Sequence, residues 1–169
     1  MNIYFSNDIR KIDSKADADG LSIFTLMENS GQALFREVSS LIKGEDEVGI
    51  IAGQGNNGGD AIVLARLLLN HGYKATLILP FGLPKSEVAQ QHFSYFITCG
   101  YPYTQTIENE YDVLVDGLFG IGFKPPFSSQ ADRVLAYWNQ SLALKIAIDI
   151  PSGVEADRGN VVTAFKADY

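Results

Sequence analysis

The stretch Val48-Gly49-Ile50-Ile51-Ala52-Gly53-Gln54-Gly55-Asn56-Asn57-Gly58-Gly59-Asp60 sets the architecture, because a short apolar run enters a loop of glycines and amides and leaves it as a helix. Beyond the loop, Ile62, Ala65, Arg66 and Leu69 fall at helical intervals, which predicts a helix over residues 59–70. A loop at a helix N-terminus turns free N–H groups and the positive end of the helix dipole toward whatever occupies it. That is how a backbone is shaped to hold an anion. Gly53, Gly55 and Gly58 spell the G-x-G-x-x-G of dinucleotide-binding turns, in the strand-before, helix-after context the pattern requires. Asn56, Asn57 and Asp60 add side-chain oxygens to a site otherwise made of backbone donors. The bland alternative is that Gly58 and Gly59 merely permit a tight turn, with Asn56 and Asn57 tolerating its backbone angles.

Outside this stretch the chain reads as alternating elements. Ser6 is a candidate cap for a helix through Ile9, Ile12 and Ala16 that ends near Gly20. Ser22 is the candidate cap of a second, whose apolar face is Leu26, Met27, Ala33, Leu34, Val38, Leu41 and Ile42. Strands are predicted over residues 48–52, 74–79, 112–116 and 145–150, and helices over 85–98 and 129–140. Val113-Leu114-Val115 and Ile146-Ala147-Ile148 are apolar throughout, which fits strands covered by helices on both faces. The expected fold is a Rossmann-like three-layer αβα sandwich with a mostly parallel sheet, one domain over residues 1–169.

A formal net charge of −7 opposes non-specific binding to nucleic acid or to an acidic membrane, since a phosphate surface is repelled at long range. The single cysteine, Cys99, allows no internal disulfide and no zinc cluster. Met1 to Ser6 lacks the basic start and long apolar run of a secretory signal, and a cytoplasmic location is expected.

Two further polar groups stand at strand ends. Asp116 follows Val113-Leu114-Val115 and opens Asp116-Gly117-Leu118-Phe119-Gly120-Ile121-Gly122-Phe123, while Asp149 closes Ile146-Ala147-Ile148 and leads into Ile150-Pro151-Ser152-Gly153. In a parallel sheet these ends lie on the same side as the glycine loop, where open α/β sheets bind ligands. Taken singly, each aspartate reads as a turn cap. Lys124, before Pro125 and Pro126, is a candidate positive charge at the crevice. His71 reads as a helix C-cap, His92 as surface or core edge, and Tyr137 and Trp138 as packing.

Together, Leu26-Met27-Glu28-Asn29-Ser30-Gly31, the Gly53 to Asp60 loop, the Asp116 to Gly122 segment and Asp149-Ile150-Pro151-Ser152-Gly153 resemble the NAD(P)H-hydrate epimerases, the YjeF N-terminal domain family. The resemblance implies that Asn56, Asn57, Gly58, Gly59 and Asp60 bind the hydrated dinucleotide. It implies further substrate contacts at Gly120, Ile121, Gly122, Phe123, Lys124, Pro125, Pro126 and Asp149, and a potassium ion (K+) held by Asn57, Asp116 and Ser152. Oxygen-only ligands suit such a hard cation. The chain stops at Ala167-Asp168-Tyr169 where the family runs on, so the resemblance implies a domain short at its C-terminus.

The implied activity is interconversion of the R and S forms of NADHX and NADPHX, with a dehydratase as functional partner; a homodimer is left open. Asp149 is the candidate catalytic acid or base. Two other readings stay open: a non-catalytic nucleotide-binding or scaffold module on the same fold, and an NAD(P)-dependent oxidoreductase. Against the last stands the run Lys74 to Leu79, which ends in Pro80-Phe81-Gly82 rather than in a ribose-binding acid.

Overall fold

The computed structural model describes residues 4–107, 110–126, 128–161 and 163–169. Two helices, α1 (Ser6–Ala18) and α2 (Ile23–Leu41), precede β1 (Glu47–Ala52), α3 (Asn56–Asn70), β2 (Lys74–Ile78), α4 (Glu87–Thr98), β3 (Tyr103–Thr104), β4 (Val113–Gly117), α5 (Ser129–Asn139) and β5 (Leu144–Ala147). The five strands form one parallel sheet in the order β3-β2-β1-β4-β5. Alternate residues of the central strands feed two cores. Val48, Ile50 and Val115 pack with α2, α3 and α4 residues such as Val38, Leu64 and Phe96. Ile51, Ile78 and Leu114 pack on the other face with Val134, Leu135 and Trp138 of α5. The three layers follow directly, because a strand apolar on both sides must be covered on both.

Several local expectations are corrected. The helix after β1 begins at Asn56, three residues early, so the amides belong to its first turn. The last strand stops at Ala147, and Asp149 beyond it holds a left-handed φ of 65°. The two-residue edge strand β3 was not foreseen, Tyr103-Thr104 being too short for a periodicity. Ser6 is no cap: Phe5 is the N-cap, and the Ser6 hydroxyl bonds Asp157 instead. Ser22 does cap α2, accepting from the Thr25 N–H, and His71 is the C-cap of α3. His92 is fully buried, stacked on Phe24 with ring centres 4.0 Å apart, and so lies in the interior rather than at the surface or core edge. Trp138 packs as expected, whereas Tyr137 is exposed. Among the described residues no helix is long and apolar enough to cross a membrane.

Candidate active site

Strand order reverses between β1 and β4, which stay paired to their C-terminal ends while the connections after them leave toward opposite faces, and there a parallel sheet presents its ligand crevice. A crevice of about 780 Å3 opens there, within the range of small-molecule sites. Its lining comes from residues 54–57 and Asp60 after β1, residues 118–123 after β4, and Ile148 and Asp149 after β5. Ile9, Arg10 and Asp13 of α1 complete it with Ser30 and Leu34 of α2 and Phe81 after β2.

Gly55 is the N-cap of α3 and no side chain bonds the first turn, so the N–H groups of that end remain available to a ligand. The loop can be this tight because of its glycines. A Cβ on Gly58 would run into the backbone of Gly53, and one on Gly59 into the Met27 side chain. A Cβ on Gly53 would in turn meet the Leu118 carbonyl, which fixes the loop after β1 against that after β4. Gln54 ties in the loop after β2, its Nε2 donating to the Phe81 carbonyl at 2.7 Å.

Asp116 is completely buried and both of its oxygens are hydrogen-bonded. Its Oδ1 accepts from the Ser152 hydroxyl at 2.7 Å and the Leu118 N–H at 3.0 Å, and its Oδ2 from the Ser152 N–H at 2.8 Å. Burial raises its pKa to about 6, opposed by these bonds. The Ser152 hydroxyl also accepts from the Phe119 N–H at 2.8 Å. Asp149 is exposed in the crevice, accepting from the Ile121 N–H at 2.9 Å. The crevice walls strip water from its carboxyl and push its pKa up, against that bond. Asp60 is shifted further, to about 7: burial is the main cause, opposed by a hydrogen bond from Ser30 and reinforced by the charges of Asp149 and Asp13. Two interacting carboxylates therefore face one crevice, and burial favours the protonated form of each.

The donor set suits a monovalent cation. Asp116 Oδ2 and the Ser152 hydroxyl each keep an unused lone-pair direction. The buried Nδ2 of Asn57 has no hydrogen-bond partner, and turning that amide over would present an oxygen in its place. Asn57 meets the same turn: a Cβ built on Gly117 would lie 3.2 Å from the Asn57 backbone carbonyl oxygen, and one built on Gly120 would lie 3.1 Å from its side-chain Cγ. All of these donors are oxygens, and one negative charge stands among them.

The family model described as YjeF-related protein N-terminus matches residues 24–169. The chain belongs to this family. It is 35% identical to the NAD(P)H-hydrate epimerase of Lentilactobacillus buchneri, over 94% of this chain and 76% of that one. It is 31% identical to the protein of the same name from Elusimicrobium minutum, over all of this chain and 84% of the relative. The bifunctional NAD(P)H-hydrate repair enzyme Nnr of Archaeoglobus fulgidus is 33% identical over 99% of this chain, which spans 36% of its length. The chain spans about a third of the length of such bifunctional relatives. The crystal structure of the yeast protein ynu0 has the same fold, with a TM-score of 0.85 at 24% identity over 99% of this chain and 78% of that one.

Within the YjeF-related fold, the structure brings together Asn56, Asn57, Asp60, Gly120, Ile121, Gly122, Phe123 and Asp149 along the crevice. It leaves out others. Gly58 and Gly59 are buried and are not among the lining residues, and Lys124, Pro125 and Pro126 are exposed and do not line it either. The side chains that sequence reasoning missed are Arg10, Asp13 and Phe81. Ser30, within the Leu26 to Gly31 motif, lines the crevice and opposes the rise of the Asp60 pKa. Neighbouring Gly31 leaves no room for a Cβ beside Val63, so α2 can approach α3, and Glu28 bonds Arg66 at 2.6 Å. Phe81 and Phe119 stack with centres 6.1 Å apart and Phe123 packs on Phe119 at 5.5 Å, an apolar wall suited to a flat ring.

Proposed function

We propose that this chain is an NAD(P)H-hydrate epimerase, interconverting the R and S forms of NADHX and NADPHX. The observation that supports it most is the pairing of Asp60 and Asp149, both raised in pKa, in a crevice whose floor includes an uncapped helix N-terminus. The helix end takes a phosphate of the dinucleotide and the phenylalanine wall takes a ring.

At C6 of the hydrated ring, configuration is lost when the hydroxyl accepts a proton, the C6–O bond breaks and water leaves, the N1 lone pair forming an N1=C6 bond. Water then adds to either face and gives up a proton. The first half needs an acid and the second a base, roles that Asp60 and Asp149 are placed to share, with Asp149 as the group nearer solvent. Potassium is assigned to Asn57, Asp116 and Ser152; when bound it offsets the negative charge of the crevice and its ligand. The repair of the cofactor would be completed by a dehydratase acting on one epimer, and a cytoplasmic location suits that role.

Purified protein mixed with one isolated epimer, sampled by chiral chromatography, tests the activity. Equilibration faster than the spontaneous rate is expected. A rate equal to the protein-free control, with dinucleotide binding intact, would favour a binding module instead.

A further inference from the structure

The crevice is electrostatically unsuited to a dinucleotide unless something offsets its carboxylates. Asp13, Asp60 and Asp149 line it, and a dinucleotide brings the two charges of its pyrophosphate. Among the described residues that line the crevice, one carries a positive charge: Arg10, from the second turn of α1. The side chain is uncommitted, with no hydrogen bond or ion pair to any described residue. Its guanidinium lies over the turn after β4, close enough that a Cβ on Gly122 would stand 3.2 Å from Nη2. The helix that carries it precedes residue 24, where the family match begins. That helix is pinned: Asp157 accepts from the Ser6 N–H at 2.7 Å and the Ser6 hydroxyl at 2.6 Å. Those two bonds are the main reason the Asp157 pKa is lowered, with Lys124 and Arg10 adding to it through space. The anchor holds the first turn of α1, and Arg10 follows one turn later at the crevice.

We propose that Arg10 is a substrate-binding residue, its guanidinium clamping a phosphate of the dinucleotide opposite the N-terminus of α3. A free, planar, permanently charged fork beside an acidic crevice suits bidentate contact with phosphate oxygens. The proposal rests on the epimerase reading for the identity of the ligand, and on the crevice geometry for the contact itself. Two phosphates of the substrate class have this chemistry, the pyrophosphate common to both hydrates and the 2′-phosphate of NADPHX alone.

The experiment compares wild type, Arg10→Gln and Arg10→Lys by melting temperature, by kcat and KM for NADHX and NADPHX, and by titration with ADP-ribose and its 2′-phosphate. Arg10→Gln is expected to melt like wild type and to raise KM about tenfold or more with little change in kcat, the usual order for losing a charge-assisted bond. Arg10→Lys should recover part of this, and added salt should weaken wild type more than Arg10→Gln. A KM effect on both hydrates assigns the pyrophosphate; an effect on NADPHX alone assigns the 2′-phosphate. Unchanged KM and unchanged titrations overturn the proposal, as does a lower melting temperature as the sole effect, which would make Arg10 a structural partner of Asp157. If wild type equilibrates neither hydrate, the epimerase reading fails separately. The two titrations then decide Arg10, weaker binding in Arg10→Gln supporting the clamp and equal or absent binding overturning it.

Discussion

Ser152 grips Asp116 from two sides, its hydroxyl donating to Oδ1 at 2.7 Å and its backbone N–H to Oδ2 at 2.8 Å. The pair joins the end of β4 to the turn after β5, across 36 residues of chain, and so sets the distance between two walls of the crevice. Buried carboxylates persist only when their oxygens are satisfied in this way.

Asp116→Ala should therefore fail in two separable respects. It leaves the N–H groups of Ser152 and Leu118 without an acceptor in the interior, at a cost of about 3 kcal/mol, while the Ser152 hydroxyl still has the Phe119 carbonyl at 3.3 Å. It also removes the formal charge from the proposed ion ligands. Urea unfolding reads the first effect, and ligand titrations in potassium, sodium and choline buffers read the second. An unaltered urea midpoint would argue against the tie, and a retained potassium response would move the ion elsewhere.

Two glycines of the same loop should behave oppositely. Gly55 lines the crevice and a Cβ there meets nothing within 4 Å, so Gly55→Ala should change stability by no more than about 0.5 kcal/mol while weakening dinucleotide binding. Gly58→Ala drives its methyl into the Gly53 backbone and should cost on the order of 3 kcal/mol. Paired melts and titrations separate them. Weak binding in a fully stable Gly58→Ala protein would show that Gly58, not Gly55, faces the ligand.

The fold was readable because it is written in local patterns: apolar strands, helical periods and the glycine loop after β1. What escaped is tertiary. Arg10 sits on a helix whose pattern speaks only of amphipathicity, and nothing in the sequence places that helix at the strand ends 40 and more residues away. His92 reads in the sequence as surface or core edge because its burial depends on Phe24 of another helix, which stacks on it. Lys124 reads in the sequence as a candidate positive charge at the crevice, whereas the cationic side chain that lines it is Arg10 of α1. Asp60 could be named as an oxygen donor, but its pKa of about 7 follows from burial and from Asp149, 89 positions away.

That pKa predicts a pH dependence of stability. A carboxyl raised above its unfolded value binds its proton more tightly in the folded state, so the stabilisation is complete below about pH 4 and is lost as pH rises through about 7. The span is at most a few kcal/mol, discounted for the water that reaches this half-buried group. Asp60→Asn should flatten the profile between these limits and melt higher than wild type at pH 8. Parallel melting profiles for the two proteins would place the Asp60 pKa near its ordinary value.

Gly120 is the backbone against which Asp149 rests. A Cβ built on it lies 2.7 Å from Asp149 Oδ2, so Gly120→Ala must displace the carboxylate from the Ile121 N–H. Misplacing a reacting group by about 1 Å can cost on the order of a hundredfold in rate. The expected result is a folded protein with reduced kcat and near-normal substrate binding. Wild-type kcat in this variant would show that the position of Asp149 is not critical.

Asp149 itself carries the sharpest test, because its backbone and its carboxyl make different demands. At a φ of 65°, asparagine and aspartate are tolerated better than other side chains, so Asp149→Asn keeps the turn and Asp149→Ala strains it. The amide oxygen of asparagine can still accept from the Ile121 N–H, but the group no longer exchanges a proton. Asp149→Asn should therefore melt close to wild type, bind dinucleotide, and equilibrate the epimers about a hundredfold more slowly or worse, the usual order for losing a positioned acid or base. Asp149→Ala should share the slow rate and add a loss of stability on the order of 1 kcal/mol. Rates measured at saturating hydrate decide the matter. An Asp149→Asn protein as fast as wild type would transfer the proton chemistry to Asp60, whose own asparagine variant would then carry the loss.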